Sequence, residues 1–112
     1  MAEGRALGFE PLAVVATAGT TGAGVIDPLP AIAEVARGEG SWLHVDAAWG
    51  AAAALSPRLR PALAGIERAD SVTWDAHKWL QVPMGTGMCF CRHPAAGVKV
   101  AYCEPPVLPP QP

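Results

Sequence analysis

A chain of 112 residues has room for one small domain and not for two. Hydrophobic residues make up 51% and charged residues 16%, which excludes a disordered segment and argues for a packed core. The net charge is −2 and the eight Lys and Arg form no run, which argues against nucleic acid and against an anionic membrane surface as partners.

Pro11 to Ala18 is apolar and ends in the cleavage-like triplet Ala16-Thr17-Ala18, but Glu3 and Glu10 precede it and the stretch is short. A strand is therefore the expectation over Leu12–Ala18, not a secretory signal. Gly19–Gly24 reads as a flexible turn. Asp27-Pro28 reads as a helix start, with an N-cap side chain followed by proline at the first helical position. Leu29, Ile32, Ala33 and Ala36 then recur at helical spacing until Gly38 and Gly40 stop the helix. Trp42–Asp46 is a second strand. Ser56-Pro57 opens a second helix, expected to run to about Ala69 with a kink at Pro61. Ser71–Asp75 and Met88–Arg92 are the third and fourth strands. From Glu104 the chain holds five prolines in nine residues, so 104–112 is expected to be an extended tail.

Strands separated by helix-like segments predict an α/β fold with a mostly parallel sheet and crossover helices. The Ala76–Gly87 connection is too short for a helical crossover, so the last strand is expected to run antiparallel. No run is long enough to cross a bilayer. Cys89, Cys91 and Cys103 are odd in number and lack regular spacing, which points to a reducing cytoplasm and not to a disulfide framework. Cys89, Cys91 and His93 could form a small metal cluster. The plainer account of Cys-x-Cys in a strand is two thiols packed on one buried face. The four tryptophans, Trp42, Trp49, Trp74 and Trp79, mark the middle third as the place for a core or a pocket.

Each of the first three strands is followed by polar or ionisable residues: Thr20 and Thr21, then Asp46, then Asp75, His77 and Lys78. Ligands of open α/β sheets bind outside the carboxyl ends of the strands, so these groups define one candidate crevice. A lysine amine can form a Schiff base with an aldehyde, and an aspartate can hold a proton on a pyridine nitrogen. Spacing alone leaves a buried Asp46–Lys78 ion pair as an equal account.

Four ordered strings add to this reading. Ala18-Gly19-Thr20-Thr21 followed by Asp27-Pro28, His44-Val45-Asp46-Ala47-Ala48-Trp49-Gly50, Gly65 to Ser71, and Asp75-Ala76-His77-Lys78-Trp79-Leu80 resemble segments of the group II decarboxylases that depend on pyridoxal 5'-phosphate (PLP). The family includes the glutamate, cysteine-sulfinate, aromatic-amino-acid and diaminobutyrate decarboxylases. The likeness runs from about Pro11 to His93. It implies a partial large domain of the type I PLP-transferase fold over residues 1–103, with 104–112 as a proline-rich tail.

The resemblance also implies roles. Lys78 would be the Schiff-base lysine and Asp46 the partner of the pyridine nitrogen. Ala48 would lie under one ring face, and His77 would sit near the cofactor beside the lysine. Thr21 would bond near the phenolic oxygen or the lysine, with Thr20 as its rival and a plain turn role open for either. His44 shares the side of Asp46 on its strand and is read as structural; Trp49 and Trp79 are read as pocket wall or core. The implied reaction is decarboxylation of an L-amino acid by a cytoplasmic homodimer, with a weak leaning to the glutamate and cysteine-sulfinate branch. A carbon–carbon lyase or desulfurase of the same fold, or an inactive truncated remnant, stand as alternatives.

There are departures from the pattern. Ala51 stands where the family often has a second glycine, and the match weakens after His93. The phosphate-binding loop, the residue that stacks on the other ring face and the small domain have no counterpart in these residues, so the 112-residue chain alone is expected to be inactive.

Overall fold

Runs rich in Val, Ala and Leu become strands because such side chains fit a pleated, half-buried surface. In the computed structural model, which describes residues 2–93, β1 spans Ala13–Thr17, β2 Trp42–Asp46, β3 Ser71–Asp75 and β4 Gly87–Cys91. They form one four-stranded sheet in the order β1-β2-β3-β4. β1, β2 and β3 are parallel, and β4 returns antiparallel to β3. This is the α/β arrangement expected, including the reversed last strand. A short helix, α1, spans Ala2–Ala6, and α2 spans Leu29–Gly38 and makes the β1–β2 crossover. The proline-rich stretch 104–112 and Cys103 lie outside the described residues.

Side chains alternate between the two faces of a strand. Val14, Ala16, Leu43, Val45, Val72 and Trp74 pack on one face with Leu29, Ala33 and Ala36 of α2 and with Leu63 and Ala69. Leu29, Leu63 and Val45 are fully buried, each contributing roughly 1.5–3 kcal/mol by burial. Most of the remaining core is alanine, which lets the backbone of α2 lie close to the sheet. The opposite face carries Thr17, His44, Asp46, Ser71, Thr73 and Asp75, and Val15 on this side is 65% exposed. The ion pair of Glu34 with Arg68 ties α2 to the chain before β3, and Arg37 pairs with Glu34 within the helix. The Arg68 hydrogen bond, with the charge of Arg37 adding to it, holds the Glu34 carboxyl below its usual range.

Three sequence expectations need correction. The second helix is not an α-helix: residues 50–69 form three 3-10 segments, Gly50–Leu55, Arg60–Leu63 and Ile66–Arg68. Pro57 and Pro61 remove amide donors, and Gly65 sits at φ 97°, which no right-handed helix accepts. Asp27 does not cap α2. Its carboxylate accepts the Thr17 N–H at 2.8 Å, which ties the approach to α2 to the end of β1. The thiol pair is not buried: Cys89 is exposed and Cys91 intermediate. Both lie on the less covered face, opposite Thr73 and Ser71. The tryptophans divide, with Trp42 and Trp74 half-buried on the strands and Trp49 and Trp79 about 40% exposed beyond the strand ends.

Gly65 is a position where only glycine fits. A Cβ there would stand 2.7 Å from the Pro30 nitrogen and 2.9 Å from its Cδ. Gly65→Ala should therefore lower stability by about 1–3 kcal/mol. Gly38→Ala, in α2 with nothing within 4 Å of the added carbon, should be neutral or stabilising by up to about 1 kcal/mol. Denaturant midpoints of the two variants test the contrast; equal midpoints would contradict it.

Candidate functional site

The candidate site begins with the backbone at the carboxyl ends of β1, β2 and β3. The Ala18 N–H donates to the Asp46 carbonyl at 2.7 Å, and the Gly50 N–H donates back to the Ala18 carbonyl at 3.1 Å. On the other side the Ala47 N–H donates to the Thr73 carbonyl at 3.2 Å, and the Asp75 N–H donates to the Ala48 carbonyl at 3.1 Å. The five residues 46–50 are thus bonded to both neighbouring strand exits. These bonds satisfy polar groups at a depth where Ala18 and Ala47 are fully buried.

That approach requires small residues. A Cβ on Gly50 would lie 2.1 Å from the Ala18 carbonyl oxygen, and a Cβ on Gly19 would lie 2.7 Å from the Trp49 ring. The Trp49 ring covers Gly19 and Gly24 and meets Trp79 edge-on, with centroids 4.9 Å apart. The two exposed indoles are therefore one wall of this end of the sheet.

Asp46 is the last residue of β2, and its exposed side chain accepts the Ala48 N–H at 3.1 Å through Oδ1. That two-residue loop fixes the carboxylate and leaves Ala48 half-buried beside it. Lys78 closes a one-turn 3-10 segment, Ala76–Lys78, directly after β3. Its ammonium pairs with Asp75 at 2.9 Å, and not with Asp46 as the plain ion-pair reading held. The lysine side chain is 35% exposed. His77 Nδ1 faces the Thr86 carbonyl at 3.2 Å; a carbonyl can only accept, so Nδ1 is the donor and Nε2 is the ring nitrogen left for other partners.

The two threonines separate. The Thr20 hydroxyl accepts the Val25 N–H at 3.1 Å and the Thr20 carbonyl accepts the Gly24 N–H at 2.7 Å, so Thr20 builds the turn. Thr21 is exposed in that turn. All these groups lie at one end of three adjacent parallel strands. Together they offer a primary amine, a carboxylate, an imidazole nitrogen and hydroxyls. An amine and a carboxylate suit an aldehyde-bearing pyridine ring, the amine for the carbonyl carbon and the carboxylate for the ring nitrogen. Among the described residues no group of three His, Cys, Asp or Glu is placed to hold a metal ion. A cleft of about 390 Å³ lies at the amino end of the strands, against Ser41, Asp70, Arg68 and His93.

Sequence reasoning assigned no role to Asp75 as the partner of Lys78. Nor did it find the hydrogen-bonded ladder formed by Trp42, His44, Ser71 and Thr73. The i, i+3 spacing of Asp75 and Lys78 and the i, i+2 spacing along β2 and β3 carry both signals, but neither names a partner without the register.

The model of the pyridoxal-dependent decarboxylase conserved domain matches residues 1–105. The chain is 53% identical over 94 residues to an aspartate 1-decarboxylase of Aliivibrio fischeri, covering 84% of this chain and 17% of that protein. It is 56% identical over 76 residues to the human cysteine sulfinic acid decarboxylase, covering 68% of this chain and 15% of that one. A crystal structure of mouse CSAD superposes on 84% of this chain and 20% of its own, with a TM-score of 0.81 and 45% identity. The chain thus spans less than a quarter of the length of these relatives.

Gly50→Ala tests the backbone clamp. The new Cβ meets a carbonyl oxygen that is itself bonded, so the strand exits must part. The expected loss is about 1–3 kcal/mol, the range for overpacking a filled site. A thermal melt unchanged from the parent would show that residues 46–50 are not held between β1 and β3.

Proposed function

This chain belongs to the pyridoxal-dependent decarboxylase family, and on that premise we propose that its full-length protein removes the carboxylate of an L-amino acid with PLP as cofactor. Residues 1–103 form part of the cofactor-binding large domain in this reading, and 104–112 a proline-rich extension. The single observation that carries it is the joint placement of Asp46 and Lys78 at the exits of β2 and β3, which are bonded to each other through Ala47 and Ala48.

The cofactor, when bound, supplies an electron sink for the carbanion left by the departing carboxylate. The chain's own residues hold and orient it. Lys78 offers the amine that takes the aldehyde carbon. Asp46, fixed by the Ala48 N–H, keeps a proton on the ring nitrogen, because an adjacent negative charge favours the cationic form. Ala48 is small enough to let a ring face approach. The hydroxyl of Thr21 is the one for the phenolic oxygen, since that of Thr20 holds the turn. His77, its ring fixed by Nδ1 on the Thr86 carbonyl, presents Nε2 as the nitrogen that can hold or move a proton beside the lysine. The identity to enzymes named for aspartate and cysteine sulfinic acid supports a substrate with an acidic side chain. The reading includes a cytoplasmic homodimer; the exposed indoles of Trp49 and Trp79 offer apolar surface at the same end.

In the full-length protein, Lys78→Ala should abolish both turnover and the borohydride-reducible adduct with PLP. Lys78→Arg should not rescue either, because a guanidinium does not form the imine. Peptide mass spectrometry reads the site directly; a reduced adduct on Lys99, the chain's other lysine, would overturn the assignment. Aspartate, glutamate and cysteine sulfinate should be turned over ahead of tryptophan and tyrosine, as measured by carbon dioxide release.

A further inference from the structure

The chain turns directly after β3. Asp75 ends the strand and the 3-10 segment Ala76–Lys78 follows, closed by the Leu80 N–H on the Ala76 carbonyl at 2.9 Å. Side chains at i and i+3 eclipse in a 3-10 turn. Asp75 and Lys78 therefore meet through local backbone geometry, with Lys78 Nζ 2.9 Å from Asp75 Oδ2. The other carboxylate oxygen, Oδ1, packs over Gly87, the residue set opposite Asp75 on β4; a Cβ on Gly87 would lie 3.1 Å from it. The half-buried carboxylate is thus seated between the lysine and the β4 backbone.

Two carboxylates stand at this end of the sheet, and one of them takes the amine. The register sets Asp46 beside Thr73, two residues before Asp75 on the same face. Asp46 Oδ1 accepts the Ala48 N–H, and among the described residues Asp46 makes no ion pair. His77, the other ionisable group of the turn, is engaged through Nδ1 by the Thr86 carbonyl. β4 brings no charged side chain here, since Gly87 and Met88 stand opposite Asp75 and Trp74.

An ammonium bound to Asp46 would compete with a ring nitrogen for the same carboxylate. With Asp75 as its partner the amine is held at the strand exit, and Asp46 Oδ2 is left for the ring. A contacting negative charge also favours the ammonium over the free amine. A part-exposed ion pair is weak, so an arriving aldehyde can displace it. We infer that Asp75 is a positioning residue: it holds the Lys78 amine at the exit of β3 and keeps it off Asp46, so that lysine and aspartate reach the cofactor separately. The inference rests on the proposed roles of Lys78 and Asp46; which carboxylate holds the lysine does not depend on them.

The test uses the full-length protein without cofactor. Trace acetylation with acetic anhydride at neutral pH, followed by peptide mass spectrometry, reads the reactivity of Lys78, because only the free amine acylates. Asp75→Asn keeps the shape and loses the charge, so Lys78 should react about tenfold faster, the lower end of what a contacting charge does to a titrating group. Asp46→Asn should change the reactivity by less than about threefold, since an exposed charge out of contact is screened. Circular dichroism checks that both variants fold, and Asp75→Ser replaces Asp75→Asn if the latter does not. Unchanged Lys78 reactivity on loss of the Asp75 charge overturns the inference, as does an Asp46→Asn variant that raises it equally. A full-length parent that formed no adduct with PLP would end the proposed function, while the acetylation would still decide which carboxylate holds Lys78.

Discussion

The arrangement depends on one segment, residues 46–50, being hydrogen-bonded on both sides. Ala18 and Gly50 join it to the exit of β1, and Ala47 and Ala48 join it to the exit of β3. Parallel strands do not by themselves hold their exits together, because each chain leaves the sheet for its own crossover. Here the exit of β2 continues the pairing past the last strand residue. The result is that Asp46, the turn with Thr20 and Thr21, and the 3-10 segment with Lys78 are parts of one hydrogen-bonded unit. A site built this way holds its groups in place before any ligand arrives, which is what a cofactor-binding constellation needs.

Side-chain size makes the unit possible. Gly50 and Gly19 admit the backbone and an indole ring where any Cβ would collide, and Ala18 and Ala47 are buried without demanding space. The alanines of α2 bring the helix close beneath the same strands. The less covered face, by contrast, is polar, and its buried part is organised by hydroxyls and one imidazole instead of by apolar packing. Chemistry and core therefore sit on opposite sides of the same strands, with Asp46 and Val45 as neighbours in sequence facing opposite ways.

Much of this was legible in the residues. β2 and β3 have the bounds their apolar runs suggested, and the short 76–87 connection gave the antiparallel β4 for a steric reason. The second helix was not legible as it is. Ser56–Ala69 has helical composition, but Pro57, Pro61 and Gly65 deny it the amides and the dihedrals, and packing of Leu63 and Ala69 holds the 3-10 turns in place. Asp27 looked like a cap because an Asp-Pro pair usually is one; a nearby strand N–H competed and won. Asp46, Lys78 and the threonines could be named from local strings. The Asp75–Lys78 pair and the His44 ladder could not, since both need the register between β2 and β3 or the turn after β3, and periodicity carries neither.

The account centres on Asp46 and Lys78 addressing one cofactor from neighbouring strand exits. A crystal structure of the full-length protein grown with PLP tests this most directly. The account predicts continuous density from Lys78 Nζ to the cofactor carbon, and the Asp46 carboxylate about 3 Å from the ring nitrogen. A ring nitrogen facing any other group, or a cofactor bound at the amino ends of the strands, would contradict it.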